Sequence, residues 1–274
     1  MRLRFALLLA AIFCLPVHGA GTWKALTHQT PSLAPNGNPS LMLLLSDGTV
    51  MVENDPTGGG GTNWMRLTPD IHGSYANGTW TVLAPMNYSR AGCSSDVMTN
   101  GQVFFAGGEY GTGFATSEIY DPVSNLWKIV PVPTSLLDPT KGQGFSDSDS
   151  VILSNGKVLV SPVAVAYARE TMIYDPVSNS FSAGPNLRVF SQDEASWVKL
   201  PDQSILTIDP SSTTSERYIS SSNQWAADAS TPVNIYSGNN TGAPGEIGPA
   251  FLLPNGNAIF FGSSSTNLIY TPGG

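Results

Sequence analysis

Short apolar segments alternate with tight polar turns along most of this chain, and the alternation is typical of β-hairpins. The segments Val151–Leu153 and Val158–Val160, for example, flank the dipeptide Asn155-Gly156. Asn-Gly supplies the positive φ that a tight hairpin turn requires. Because the flanking segments are almost continuously apolar, they predict strands that are buried on both faces.

This turn recurs five times at a nearly constant spacing. The copies are Ser46-Asp47-Gly48, Thr99-Asn100-Gly101, Ser154-Asn155-Gly156, Pro201-Asp202-Gln203 and Pro254-Asn255-Gly256. Their third residues are separated by 53, 55, 47 and 53 positions. A fixed period of about fifty residues indicates a repeat architecture. The chain therefore contains five copies of one structural unit.

A second hairpin follows the first in each unit. Its turn is clearest in Asp121–Asn125 and Asp175–Asn179, two copies of the sequence Asp-Pro-Val-Ser-Asn that lie 54 residues apart. Proline presets φ for a turn, and the Asp and Asn side chains bond to nearby backbone. Each unit thus consists of four short strands. We predict an all-β fold, a β-propeller of four-stranded antiparallel blades that spans residues 21–274.

The spacing of aromatic residues points to a family. Three units carry a tyrosine seven residues before a second large aromatic residue: Tyr120 and Trp127, Tyr174 and Phe181, Tyr218 and Trp225. With the glycine pair Gly107-Gly108, this pattern resembles the kelch-repeat β-propellers, in degenerate form. The resemblance implies a fold similar to that of the galactose-oxidase-type copper radical oxidases. Their copper site needs two His, two Tyr and a Cys–Tyr crosslink, and since the sequence offers no such set, that activity is not expected.

The number of blades is left open by the sequence. The segment Gly21–Leu26, with Trp23, resembles a fourth strand without its own unit, whereas the last unit has a third strand at Leu268–Tyr270. Pairing of the two would close a ring of five blades and remove two free sheet edges. The alternative is a fragment of a propeller of about six or seven blades, the usual number in the family.

The first twenty residues predict a signal peptide. Arg2 and Arg4 precede an apolar run, and Val17-His18-Gly19 suits cleavage before Ala20. We therefore expect a secreted or extracytoplasmic protein that does not insert into a membrane after signal removal. The remaining chain contains one cysteine, Cys93, which excludes an internal disulfide. The formal net charge of −8 argues against nucleic acid as a partner.

Strand alternation places the connections between blades, and those between second and third strands, on one face. Acidic residues concentrate in these connections, and the candidate ligand-binding residues are Asp96, Glu109, Asp147, Asp193, Glu194 and Glu246. We expect four of these candidates, Asp147, Asp193, Glu194 and Glu246, to surround the channel mouth. Such carboxylates are able to hold Ca²⁺, a cationic ligand or sugar hydroxyls. The alternative is a solvated acidic rim.

The function predicted from these features is a binding or scaffold module for a polysaccharide, glycoprotein or protein partner. No cofactor is expected other than Ca²⁺ at the acidic residues, and we expect a monomer. Aromatic residues on the same face, Tyr110, Phe114, Tyr167 and Tyr236, would either stack on sugar rings or fill gaps between blades. The alternative function is a carbohydrate-active enzyme, which would place a carboxylate of strongly raised pKa in a pocket.

Overall fold

The computed structural model describes residues 21–31, 38–55, 60–164, 169–189, 192–236 and 246–273. The predicted signal peptide, residues 1–20, lies outside the described residues. Five antiparallel sheets follow one another along the chain as the blades of a β-propeller, and two 3-10 turns, Tyr75–Asn77 and Pro139–Lys141, are the helical elements described. None of the described helices is long and apolar enough to cross a membrane.

The strands of each blade are consecutive in the chain, and each pairs with the next. Blade one contains β1 (Asn38–Leu44), β2 (Val50–Asp55), β3 (Asn63–Thr68) and β4 (Thr79–Val82). Blade two contains β5 (Ser94–Val97), β6 (Val103–Ala106), β7 (Ser117–Asp121) and β8 (Leu126–Val130). Blade three contains β9 (Asp149–Ile152), β10 (Val158–Ser161), β11 (Met172–Asp175) and β12 (Ser180–Ala183). Blade four contains β13 (Val198–Lys199), β14 (Ile205–Ile208), β15 (Ser215–Ile219) and β16 (Gln224–Ala227). Blade five contains β17 (Ile247–Leu252), β18 (Ala258–Gly262) and β19 (Asn267–Tyr270).

The turn between the first two strands has the same geometry in all five blades. In blade three, Leu153 N–H donates to Lys157 O at 2.8 Å and Gly156 N–H donates to Leu153 O at 2.9 Å. The third turn residue has a positive φ in every copy: Gly48 (80°), Gly101 (83°), Gly156 (81°), Gln203 (69°) and Gly256 (85°). The predicted hairpin turns are therefore confirmed. Glycine occupies this position in four of the five copies, because it adopts the left-handed region without steric cost.

The turn between the third and fourth strands is fixed by the tyrosine of the repeat. The hydroxyl groups of Tyr120, Tyr174 and Tyr218 each donate to an asparagine five residues later at 2.9 Å. Those asparagines, Asn125, Asn179 and Asn223, have φ between 52° and 54°. Asparagine tolerates this left-handed region better than other residues with a Cβ atom. The spacing of tyrosine and asparagine therefore encodes the second hairpin.

Burial differs between inner and outer strands. All four residues of β6, β10 and β14 are buried, as the continuous apolar pattern predicted. The first strands β5 and β9, also expected to be buried on both faces, are mostly half-buried. The fourth strands β12 and β16, to which that expectation did not extend, bury one residue each. The reason is position, since the outermost strand of a blade has water along its free edge and part of its surface.

Hydrophobic clusters join each blade to the next. They lie between blades one and two, around Trp64 and Phe105, and between two and three, around Phe104 and Phe145. Two more lie between blades three and four and between blades four and five. Among the described residues, stability thus comes from packing between neighbouring blades, as in other repeat proteins.

Of the two alternatives left open by the sequence, pairing of the N-terminal segment with blade five is not found among the described residues. β19 pairs with β18, and Gly21–Leu26 forms no strand. Trp23 is 103% exposed. The segment instead contacts blade one, where Thr27 N–H donates to Ala76 O at 2.8 Å.

Candidate functional site

Carboxylates from four blades meet at one face of the propeller. Glu109 follows β6, Asp147 precedes β9, Asp193 and Glu194 precede β13, and Glu246 precedes β17. We call these five residues the acidic mouth. One carboxylate oxygen from each of Glu109, Asp147 and Glu194 lies within 4.8 Å of the other two. Strand alternation thus brings together connections that are distant in sequence, although a ligand-binding role for them stays a prediction.

A buried ion pair positions the loop that carries Glu109. The guanidinium of Arg90 lies 3.0 Å from Glu118 Oε1, and both side chains are fully buried. Arg90 Nη1 also donates to Gly107 O at 2.7 Å and to Thr116 O at 2.9 Å, the two ends of the loop. Because burial strengthens charge-assisted hydrogen bonds, this network holds the loop rigidly. Arg90 lies in no local sequence motif, so nothing in the sequence marks it as part of this site.

The glycine pair of blade two allows the next connection to approach closely. A Cβ atom on Gly107 would meet Phe145 Cβ at 2.4 Å, and Gly107 has a φ of 72°. Phe145 is fully buried, and its N–H donates to Phe114 O at 2.7 Å. Asp147 follows two residues later. The glycine pair therefore brings the Asp147 connection against the Glu109 loop, which explains why these two carboxylates are neighbours.

Buried polar contacts fix the connections of blades four and five. Gln192 is fully buried, and its Oε1 accepts hydrogen bonds from Trp197 Nε1 at 3.0 Å and from Thr207 Oγ1. Ile247 N–H donates to Glu194 O at 3.2 Å, which links the two connections directly. Glu194 and Glu246 are consequently held side by side.

Three residues at the mouth have left-handed backbone conformations without being glycine. Tyr110, Asp147 and Glu194 have φ of 52°, 51° and 48°. Such conformations are uncommon for residues with a Cβ atom and persist where the surrounding structure enforces them. No sequence signal predicted them for Tyr110 and Glu194, because neither residue type favours this region.

Crowding makes the mouth carboxyls hard to ionise together. Burial, a hydrogen bond to Glu246 and the charges of Glu246, Asp147 and Asp193 raise the pKa of Glu194 to about 7. Burial and a hydrogen bond to Asp147 raise the pKa of Glu109. Burial and the charges of Asp147 and Glu246 raise the pKa of Asp193. Like charges at short range disfavour ionisation, so the mouth attracts protons or other cations.

The aromatic residues of this face divide into two groups. Tyr110 is 84% exposed beside Glu109 and is available for stacking. Tyr236 packs against the core between blades four and five, and Phe114 lies against Gly144. Tyr167 lies outside the described residues. Of the two roles left open by the sequence, Phe114 and Tyr236 thus have the second, since they fill gaps between elements.

Asp96 is separate from the acidic mouth. It lies on β5, and Ser150 Oγ donates to its Oδ2 at 2.6 Å, a bond between blades two and three. The strand directs Asp96 toward the neighbouring blade and away from the mouth, and a ligand-binding role for it stays a prediction. The carboxyl groups of the mouth are also absent from the five cavities described on the chain, which are lined by other residues.

Comparison with known proteins gives a fold and no family. No family model and no curated protein matches the sequence. Among solved structures, YjhT matches with a TM-score of 0.55 and 15% identity over 82% of this chain and 71% of that one. Virginiamycin B lyase from Staphylococcus aureus matches with a TM-score of 0.56 and 12% identity, over 86% and 70%. A copper-containing fungal alcohol oxidase of the AA5 family has a TM-score of 0.46 and 16% identity over 85% of this chain and 62% of that one. The first two likenesses show a β-propeller fold, and membership of the kelch family stays a prediction.

Proposed function

We propose that this chain is a ligand-binding propeller whose acidic mouth takes a divalent cation, with Ca²⁺ as the preferred ion. The observation that carries the proposal is the triad of Glu109, Asp147 and Glu194, with oxygens within 4.8 Å of one another. Ca²⁺ binds oxygen at about 2.3–2.6 Å, so two ligands of one ion are separated by at most about 5 Å. The spacing of the triad fits a single ion.

The electrostatics of the mouth support the same proposal. The raised pKa values of Glu109, Asp193 and Glu194 arise in part from repulsion between neighbouring carboxyls. A divalent cation relieves that repulsion and replaces the protons. Three protein oxygens also leave several positions of a shell of about six to eight ligands for other oxygen donors.

The open positions suggest what the module binds. Hydroxyl or carboxylate oxygens of a polysaccharide, glycoprotein or protein are able to complete the coordination shell. Tyr110, exposed beside Glu109, offers a ring face to the same ligand. An extracytoplasmic location, where Ca²⁺ is abundant, belongs to this proposal.

A carbohydrate-active enzyme is the second candidate. The raised pKa of Glu194, at about 7, is the observation that favours it, because a general acid needs such a value. The site is open, however, and Glu194 is exposed rather than enclosed in a pocket. Binding is therefore preferred over catalysis.

The test is a Ca²⁺ titration of the purified protein by calorimetry and thermal melting. The wild type should bind Ca²⁺ and melt at a higher temperature, because a ligand that binds only the folded state stabilises it. Asp147→Asn combined with Glu194→Gln should remove both effects. Asparagine suits the left-handed backbone at position 147, so the fold is retained.

Asp121→Asn is the matched control. It also removes a carboxylate, but from a turn at the other end of the strands, where Oδ1 accepts a bond from Val123 N–H that asparagine retains. Ca²⁺ binding should be unchanged in this variant. A wild-type protein that does not bind millimolar Ca²⁺, or equal loss in both variants, contradicts the proposal. Hydrolysis of a glycan that stops in Glu194→Gln would favour the enzyme instead.

A further inference from the structure

Two hydrogen bonds close the seam between blades one and two. Ala84 N–H donates to Asn125 Oδ1 at 3.0 Å, and Trp127 Nε1 donates to Ala84 O at 2.7 Å. Ala84 follows the fourth strand of blade one, whereas Asn125 and Trp127 belong to the second hairpin of blade two. One residue thus joins the two blades through both polar groups of its backbone.

Pro185 takes the place of Ala84 in the seam between blades three and four. Each residue lies two positions after the end of a fourth strand, which is Val82 in blade one and Ala183 in blade three. Proline has no backbone N–H, so Pro185 has nothing to donate to an asparagine of the next blade. Its carbonyl oxygen accepts from Thr171 Oγ1 of its own blade at 2.7 Å.

The tryptophan on blade four lacks the bond that its equivalent in blade two makes. Trp225 pairs with the tyrosine of its repeat, Tyr218, as Trp127 does in blade two, so the two tryptophans are equivalent. Trp225 is 5% exposed, and its Nε1 is buried without a hydrogen-bond partner among the described atoms. Because buried polar groups are nearly always paired, this N–H marks a place where an acceptor is missing.

A cleft of about 590 Å³ lies at this seam. Pro185 and Trp225 are among the residues that line it, so it lies where the two bonds are missing. Its size is within the range of about 300–1,000 Å³ that is typical of small-molecule sites. The cleft lies between two blades that each have all four strands.

Two arginine residues line the cleft. Arg169 Nη1 donates to Arg188 O at 2.8 Å, which fixes the first guanidinium beside the second arginine. Arg188 N–H donates to Glu216 Oε2 at 2.7 Å, so its backbone is anchored to blade four. Neither guanidinium belongs to the ion pairs of the described residues, and none of the residues described on the cleft wall is acidic. The cleft therefore favours an anion, and arginine binds carboxylates through pairs of parallel hydrogen bonds.

Neutral hydrogen-bonding side chains line another part of the cleft. Asn186, Asn223 and Gln224 are on its wall, and each carries a side-chain amide. An amide group both donates and accepts hydrogen bonds, as a hydroxyl group does. The wall thus matches a ligand that carries one carboxylate and several hydroxyl groups, which is the chemistry of an acidic sugar.

We propose that the cleft between blades three and four is a binding site for a uronate, a sugar that carries a carboxylate. Arg169 and Arg188 bind the carboxylate, and the amides bind hydroxyl groups. A ligand oxygen takes the place of the carbonyl that Trp225 Nε1 lacks. The residues of the acidic mouth do not line this cleft, so the proposal is independent of the cation site. A free uronate and a uronate within a polysaccharide share this chemistry, and the test separates them.

Calorimetric titration with sodium glucuronate tests the site, in EDTA so that no Ca²⁺ joins the ligand to the acidic mouth. Glucuronate should bind about tenfold more tightly than glucose, which has the same ring without a carboxylate. Arg188→Gln should weaken binding about tenfold, because it removes a charged donor and keeps the backbone bond to Glu216. Lys128→Gln removes an exposed charge from blade two and should bind as the wild type does.

The same titration separates the two sources of the ligand. Tighter binding of a glucuronate oligomer, at equal carboxylate concentration, would identify a polysaccharide, and equal binding would identify a free uronate. The proposal is overturned if neither binds, if glucose or inorganic sulfate binds as tightly as glucuronate, or if Arg188→Gln binds as the wild type does.

The indole N–H of Trp225 gives a second readout by nuclear magnetic resonance. Its resonance, identified by its loss in Trp225→Phe, should move downfield on addition of glucuronate, because the N–H gains an acceptor. Phe181 occupies the equivalent position of blade three, so the fold accepts phenylalanine there. The Trp127 resonance should not move, since its Nε1 already donates to Ala84 O. Binding that leaves the Trp225 resonance in place would locate the ligand elsewhere and overturn the proposal.

Discussion

The buried carboxyl of Asp149 should lower the stability of the protein, and replacing it with serine should raise it. Ser94 Oγ donates to Ser148 O and Ser196 Oγ donates to Gly248 O, each a bond from one blade to the next. Both serines lie five residues before the first residue of the hairpin turn of their blade, and so does Asp149. From this register we expect the side chain of Asp149 to face a backbone carbonyl, to which a carboxylate cannot donate a hydrogen bond.

The structure gives the sign of the effect. Asp149 Oδ2 is buried without a hydrogen-bond partner among the described atoms, and burial raises its pKa well above 3.8. A carboxyl whose pKa is raised on folding stabilises the folded state below the unfolded pKa, and that stability is lost as pH rises through the folded pKa. The penalty is therefore largest in alkaline solution.

Its magnitude follows from two contributions. An unsatisfied buried polar group costs about 1–3 kcal/mol, and a new hydrogen bond from serine contributes about 1 kcal/mol. Allowing for the packing lost with the smaller side chain, Asp149→Ser should raise the free energy of unfolding by about 2 kcal/mol at pH 8. At pH 4 the expected increase in the free energy of unfolding is smaller, about 0–1 kcal/mol, because it comes at most from the new hydrogen bond.

Urea unfolding at pH 4 and pH 8, followed by circular dichroism, measures both values. Asp149→Asn keeps the shape of the side chain and adds an uncharged donor, so it should also stabilise the protein at pH 8. Ser94→Asp is the reverse control and should destabilise it, more at pH 8 than at pH 4. Destabilisation by Asp149→Ser at pH 8, or a gain that is equal at both pH values, refutes the reasoning.

Four further outcomes are expected. Gln203→Gly should raise the free energy of unfolding by about 0.5–1 kcal/mol, because removing a Cβ atom from the left-handed region gains about 1–2 kcal/mol and the greater freedom of glycine in the unfolded chain offsets part of that gain. Gly101→Ala should lower the free energy of unfolding by about 1 kcal/mol in the same assay. Gly101 has a φ of 83°, and no atom lies within 4 Å of the added Cβ, so the cost comes from the backbone alone. Gly107→Ala should lower the free energy of unfolding by more than about 3 kcal/mol, because of the clash with Phe145, and native-like stability would exclude that contact. Glu194→Gln should raise the melting temperature at pH 8 and leave it unchanged at pH 4. The pKa of Glu194 is raised to about 7 in the folded state, so the wild type loses stability as pH rises through that value, whereas glutamine does not titrate. In a bacterial host the protein should be exported and begin near Ala20 or Gly21, and N-terminal sequencing that finds Met1 on exported protein would contradict this.

The parts of the fold that depend on local sequence were predictable. Turn residues such as Gly156 and Asn179 require positive φ at particular positions, and their spacing shows four strands per blade. Strand alternation then placed Asp147 and Glu194 on one face without knowledge of any contact. These inferences need only the backbone geometry of hairpins.

Other features depend on packing between distant segments and left no local signal. The buried pair of Arg90 and Glu118 joins positions 28 residues apart, and neither residue type identifies itself as buried. The positive φ of Glu194 is imposed by its surroundings. The contact of the N-terminal segment with blade one depends on how the whole ring is arranged, which a fourth-strand motif at Trp23 does not specify.

The acidic mouth has a mechanical consequence for the ring. Each hydrophobic cluster pulls two successive blades together, whereas Glu109, Asp147 and Glu194 relate blades two, three and four at once. Their mutual repulsion grows at shorter separations, so it resists a closer approach of the three connections that carry them. Because surface charges are screened over about 10 Å at 0.1 M salt, ionic strength weakens this resistance. Salt and pH thus change the repulsion between these connections, whereas the apolar interfaces between the blades contain no such charges.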